Sequence, residues 1–233
     1  MIAFDSVSNS GYQTAQGSYS WSHTIGPGSN RILVVGVSML SVAGSSVSGI
    51  TFGGVALTKI RSDASVSGAV RTELWYLTNP ENGSGTIVVS LSASLDSASG
   101  AQSFTGVDQK EPIEANNGAS ATNVGAADAT VGVTSLSNNA WTVDIVGTDD
   151  TAISIGTEQT SRFNLTGTLG SGAGSHEGPT PIPGVITMSW TNIAGLATWT
   201  ISAACIKSMS GGVHNVSRYL KVGTGMSRSE LAS

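Results

Sequence analysis

The residue types that carry most protein chemistry are present in this chain but dispersed. His23, His176 and His214 lie far apart, and serine is so frequent that a Ser/His/Asp combination carries no information by itself. No Gly-x-Ser-x-Gly elbow stands between a strand and a helix, so no hydrolase triad is expected. No His or Cys pair has metal-ligand spacing, which argues against zinc. Asp149-Asp150 follows a strand-like run and has the oxygen ligands that calcium takes, but it reads first as a solvated acidic turn. Asp108 and Glu111 read the same way.

Carbohydrate chemistry offers the best enzyme-like arrangement. Alternation puts Glu73 on one strand face with Arg71 and Trp75, and Asp144 on another with Thr142 and Val146. Facing each other across a concave sheet, the two carboxylates would suit glycoside hydrolysis. The plainer expectation is that Arg71 pairs with Glu73 or a cross-strand neighbour at a surface. Sugar binding without catalysis needs exposed rings that stack on pyranose faces. Its candidates are Tyr12, Trp75, Tyr76 and Trp190, each of which also suits a core position. Trp21, Trp141 and Trp199 read as core residues. The Gly-rich residues 167–178 lack the lysine of a phosphate loop and open no helix. The expectation is therefore no catalytic residue, no cofactor and no metal.

The elements that would position these residues are strands. Residues 31–40, Arg-Ile-Leu-Val-Val-Gly-Val-Ser-Met-Leu, form the most continuous apolar run and are bounded by turn clusters. Such a run reads as a strand buried on both faces, the centre of a sandwich. Residues 18–25 alternate, with Tyr19, Trp21, His23 and Ile25 on one face. Gly53-Gly54 sits between two apolar runs as a hairpin turn. Residues 69–77, 86–93 and 100–107 continue the series, and 129–133 with 140–147 read as a strand pair. Residues 115–127 and 165–184 are small, polar or Gly/Pro-rich and read as loops. Residues 185–190 and 197–206 read as a closing hairpin. No amphipathic helix of three turns is apparent. About ten to twelve strands with regular turns predict an all-β fold: a two-sheet antiparallel β-sandwich, jelly-roll-like, with an extended C-terminal arm. The expected division is residues 1–207 as sandwich and 208–233 as arm.

Only 11% of the 233 residues are charged, against roughly 25% in average globular proteins. Such a surface repels its neighbours weakly and suits a protein packed among other subunits, or one outside the cell. The net charge is −5, with an acidic body and a basic tail carrying Arg218, Lys221 and Arg228. An acidic body argues against a nucleic-acid footprint. Cys205, the single cysteine, falls on the apolar face of its strand with Trp199, Ile201 and Ala203, and reads as an inert buried thiol. The N-terminus lacks a signal-peptide pattern, and no run has the length of a membrane span. The expectation is synthesis in a cytoplasm and exit by assembly or lysis.

Several stretches together carry a resemblance. They are Phe4-Asp5-Ser6, Ser20-Trp21-Ser22-His23-Thr24, residues 30–38 and residues 50–58. Glu73-Leu74-Trp75-Tyr76-Leu77, Gly83-Ser84-Gly85-Thr86 and residues 103–109 continue it. The chain resembles, over residues 2–205, a β-sandwich domain that recurs in tailed-phage structural proteins and bacterial extracellular proteins. The resemblance implies a virion structural protein, a capsid decoration or cement protein acting through protein–protein contacts, with no active site to carry over. Its implied partners are capsid or other virion proteins and further copies of the chain, and its implied location is the virion, assembled in the host cytoplasm. The alternative is a carbohydrate-binding or adhesion module on a virion or cell surface, reached by an extracellular route. The arm is expected to dock on its own body or on a neighbour. Arg218, Tyr219, Leu220, Lys221, Met226 and Arg228 are its candidate interface residues.

Overall fold

The structure, a computed structural model, describes residues 1–40, 43–124, 128–191, 193 and 197–209. These residues form strands and turns with no helix. The first half contains β1 (Ala3–Ile25), β2 (Ile32–Leu40), β3 (Val47–Phe52), β4 (Val55–Ala56), β5 (Thr58–Ala64), β6 (Val70–Thr78) and β7 (Gly83–Thr105). The second contains β8 (Ile113–Val124), β9 (Ala129–Thr134), β10 (Ala140–Thr148) and β11 (Ser154–Ile155). It continues with β12 (Thr160–Thr166), β13 (Ser171–Thr180), β14 (Val185–Thr191) and β15 (Ala197–Ile206).

The fold is all-β, antiparallel and sandwich-like, and β2 is its central strand, paired to β6 on one side and β7 on the other. Every residue from Ile32 to Met39 is buried, because both faces of this strand meet a core. Leu33, Val35, Val37 and Met39 face one core; Ile32 and Val34 face another. The Gly53-Gly54 turn joins β3 to β4 with φ of 56° and 85°. Two successive positive φ values make the hairpin turn that glycine reaches without a Cβ clash.

β1 and β7 are each 23 residues long and run together, with register breaks at 13–18 of β1. Divided at that bend, the chain contains the same eight-segment unit twice. In the first half one sheet runs β5, β6, β2, residues 95–105 and residues 3–16; in the second it runs β12, β13, β10, β15 and β8. The opposing sheet is β3, residues 83–91 and residues 18–25 in the first half, and β11, β14 and β9 in the second. The order of strand pairing, first with eighth, third with sixth and second with seventh, is that of a jelly roll.

The irregularities repeat too. Pairing slips between Phe4 and Ser6 opposite Phe104 and Ser103, and again between Ile113 and Ala115 opposite Ile206 and Cys205. It slips between Lys59 and Arg61, and again between Ser161 and Phe163. Bulges at matched sites are built-in features of a fold rather than accidents. The bulged acids have matched work: Asp5 accepts the Gly26 N–H at 2.9 Å, and Glu114 accepts that of Leu136 at 2.9 Å. Asn30 and Asn139, just before β2 and β10, share a φ of 54° and 58°. Register matches Gly36 with Ile145 and Ser38 with Gly147.

The two jelly rolls pack back to back through their five-stranded sheets, so the stack has four layers and three cores. Phe104, Leu74, Val143, Ile145 and Ile206 fill the middle core. There, matched positions touch. A Cβ on Gly36 would lie 2.9 Å from Ile145, and one on Gly147 would meet Ser38 Oγ. Contact between equivalent positions at successive inward-facing sites of β2 and β10 places an approximate twofold axis along the strands. The N-terminal core holds Tyr19, Ile50, Ile87 and Val89; the C-terminal one holds Val131, Met188, Trp190 and Ile201.

Several sequence expectations are corrected. Residues 3–25 form one bent strand, of which the alternating run at 18–25 is the second part. Residues 115–124 belong to β8, and most of 165–184 belongs to β12 and β13. Their small residues are required where sheets approach: a Cβ on Gly172 would lie 2.7 Å from that of Ala98 in the facing sheet. β9 and β10 are not partners, nor are β14 and β15. In each pair the chain crosses from one layer to the other, and both members find partners from elsewhere.

Candidate interaction end

Most of the residues singled out for chemistry lie inside. Glu73 is fully buried and accepts from Val47 N–H at 3.1 Å, Trp75 Nε1 at 3.1 Å and Lys59 at 2.9 Å. Its partner is Lys59, not Arg71, which donates to Ser62 Oγ at 2.7 Å. Asp144 accepts from Ser175 N–H at 2.7 Å, Ser175 Oγ at 2.8 Å and Trp190 Nε1 at 2.8 Å. The two carboxylates do not face each other. Leu74 and Ile145 point into the middle core, so Glu73 and Asp144, one residue away, point outward into separate cores. Each is held by a tryptophan, but from different strands. Ser175 takes the position matching Trp75, and Trp190 of β14 supplies the indole instead.

The glycan candidates are corrected in the same way. Trp190 is 0% exposed and Trp75 is 8% exposed, with Lys59 over its ring at 4.9 Å, so neither offers a face for stacking. Tyr12 is half-buried, lies against Gly167 and donates to Asp96 at 3.3 Å; burial pushes its pKa up to about 12. Tyr76 is half-buried against the middle core. These four rings form no exposed row.

The buried histidines serve the packing. His23 bridges Ser8 Oγ at 2.8 Å and Ser103 Oγ at 3.1 Å, and Ser103 donates to Asp5 at 2.8 Å. Burial pushes its pKa down to about 4. His176 sits in the middle core with Phe104 and Trp141 around it. With its proton on Nδ1 it donates to Gln102 Oε1 at 3.0 Å and accepts from Arg162 Nη2 at 2.8 Å. Burial and the Arg162 charge hold it down at about 4. Gln102 also donates to the Ser175 carbonyl, so this network ties one jelly roll to the other. Asp149 and Asp150 accept backbone N–H groups of Thr198 and Thr151 at 2.7 and 2.6 Å. Among the described residues no group of His, Cys, Asp and Glu is placed to hold a metal.

Cys205 is fully buried, and burial pushes its pKa up to about 11. A thiol with little thiolate and no access reacts slowly. A thiol-labelling assay is expected to find no reactive group in the folded protein and one equivalent after denaturation; rapid labelling of the native chain would contradict this placement.

The surface feature that does stand out is one end of the stack. At this end lie the turns at 26–31, 79–83, 106–112, 135–139 and 181–184, and there the chain passes Lys207 to Met209. The two halves are joined there: Asp108 N–H bonds to the Lys207 carbonyl, and Met209 N–H to that of Gly106. Lys207 holds Glu111 at 2.7 Å. Six of the nine large exposed apolar residues described sit here: Met1, Val55, Leu136, Ile182, Val185 and Met209. Val66 and Leu169 occupy matched hairpin tips at the opposite end. The two halves differ at this end. The first has a hollow of about 330 Å³ lined by the apolar Phe52, Val55, Leu77 and Pro80 and by the polar Asn79, Glu81, Asn82 and Ser84. The second instead projects Ile182 and Val185, both 69% exposed, with Leu136 at 65%. A more open depression of about 490 Å³ lies between Leu136 and Lys207.

Sequence reasoning missed this end because Met1, Leu136, Ile182 and Met209 lie outside the strands, while Val55 and Val185 only open theirs. The six tail candidates, Arg218, Tyr219, Leu220, Lys221, Met226 and Arg228, lie outside the described residues. Comparison of the chain with protein-family models, with curated proteins and with solved structures finds no match to any of them.

Proposed function

We propose that this protein is a structural component of a tailed-phage virion, a capsid decoration or cement protein that works through protein–protein contacts. The observation that carries the reading is the apolar end, with six exposed aliphatic or thioether side chains at one end of the stack. Single exposed apolar residues are ordinary, but clustering of this kind marks contact surfaces. The low charge supports it, since fewer ions are stripped of water when such a surface is covered. The titratable groups described above, held by structural partners, fit a scaffold rather than a catalyst. The sugar-binding alternative loses its two tryptophans to the core.

The test is fractionation of particles released by the host on a density gradient, with the chain detected by antibody. The chain is expected to travel with the particles at fixed ratio to the major shell protein. Its absence from the particle fractions would remove the reading.

A further inference from the structure

We propose that two copies of this chain dock end to end, the projecting apolar loop of each entering the hollow of the other. The proposal rests on the reading that the protein works through protein–protein contact, and names a partner for the apolar end.

The internal repeat shows what the fold itself does not require. Register matches Thr86 with Thr187, through their pairs Ser22 and Gly132. Counting back, Ser84 matches Val185, and Glu81 matches Ile182. The same turn is therefore built twice on the same scaffold and finished in opposite ways. In the first half it lines a concave site, with Glu81 and Asn82 beside the apolar Phe52, Val55, Leu77 and Pro80. In the second it is Pro181-Ile182-Pro183-Gly184-Val185, convex, uncharged and strongly exposed. Two prolines fix much of that backbone in advance, so little ordering is needed on docking. The hollow's volume of about 330 Å³ exceeds that of one aliphatic side chain, leaving room for Ile182 and Val185 together.

Position then fixes the partner. The hollow and the projection lie at matched sites, so the approximate twofold along the strands relates one to the other. That axis runs into the apolar end. A second copy, turned about a twofold lying in the plane of that end, brings its projection over the first copy's hollow and its hollow over the first copy's projection. Both contacts form together and the assembly closes, as an isologous interface does. A foreign partner would need to supply both shapes at the same spacing; a second copy already has them.

The experiment uses two exposed positions on the full chain. Ile182→Asp removes the projection, and Ser84→Trp fills the hollow; both sites face solvent, and thermal melts check that each variant folds. In light scattering and sedimentation the parent is expected to be a dimer. Each variant alone is expected to associate about 100-fold more weakly or worse. Mixed one to one, the variants are expected to recover a heterodimer, because one intact projection still meets one intact hollow. A parent that stays monomeric at all concentrations measured overturns the proposal. So do variants that dimerise as the parent does, and so does a mixture that shows no recovery. A monomeric chain that still travels with virus particles would leave the virion reading in place and remove only the end-to-end contact.

Discussion

Trp190→Ala is expected to lower the unfolding free energy by about 4 kcal/mol, the range measured for removing large aromatic side chains from cores. Trp190 is 0% exposed and packs with Val131, Met188 and Ile201 between β14 and the sheet of β10 and β15. Two losses add. The cavity costs contacts on every side, and Asp144 loses its 2.8 Å donor while remaining buried. A carboxylate short of a partner in a core is strongly penalised. For a chain of this length the melting temperature should fall by roughly 8–16 °C. Trp190→Phe keeps most of the volume while removing the N–H and part of the fused ring, so its cost should be about 2 kcal/mol. Thermal melts of the three proteins measure both. A loss below about 1 kcal/mol for the alanine variant would mean that the ring is not where the structure places it. The same variants separate two roles for this residue, since a sugar-stacking tryptophan would change ligand binding and leave stability nearly untouched.

That contrast shows what was legible in the sequence. Alternation located the strands well wherever one or both faces are apolar: β2, the outer half of β1, the outer half of β7 and β15 all follow it. It failed where the inter-sheet distance, not hydrophobicity, selects the residue. Gly172 in β13 lies against Ala98 and Ser38 of the facing sheet, and a run of glycine and serine there reads as a loop although it is an interior strand. Partner choice was illegible for a related reason. In a jelly roll most neighbours in a sheet are distant in sequence, and local turn signals describe only the few hairpins. The duplication left traces that a search at fixed spacing could have used. Phe4-Asp5-Ser6 and Ile113-Glu114-Ala115 begin the two units, and Asn30 and Asn139 stand at the same separation before the central strands. Core residues have otherwise been exchanged freely, Val89 for Trp190 and Val35 for Asp144, because volume is conserved across a core rather than at a position. The carboxylates misled for the opposite reason: a buried acid and a catalytic acid have the same one-letter pattern, and only facing direction separates them.

Acid should destabilise this fold well before most carboxylates titrate. His23 and His176 have folded pKa values of about 4 against 6.5 in an open chain. The unfolded chain therefore binds protons below pH 6.5 that the folded chain refuses until about pH 4, and stability is lost as pH falls through that window. At about 1.4 kcal/mol per pH unit, each histidine accounts for up to roughly 3 kcal/mol. Asp144 acts in the other direction. Burial raises its pKa to about 6 from 3.8, so the folded chain keeps a proton that the unfolded chain releases between those values. As pH falls from 6 to 4 this returns roughly 3 kcal/mol. Two losses against one gain leave a net fall of about 3 kcal/mol between pH 6.5 and 4. Urea midpoints across that range measure it. His176→Gln, which retains a donor toward Gln102 and loses the titrating ring, should flatten the curve, and Asp144→Asn should steepen it. The net slope is a difference between a network that joins the two jelly rolls and a carboxylate held in one of them. A curve that is flat in the parent and unchanged in both variants would mean that neither group is buried as described, and would remove the polar tie between the halves along with the prediction.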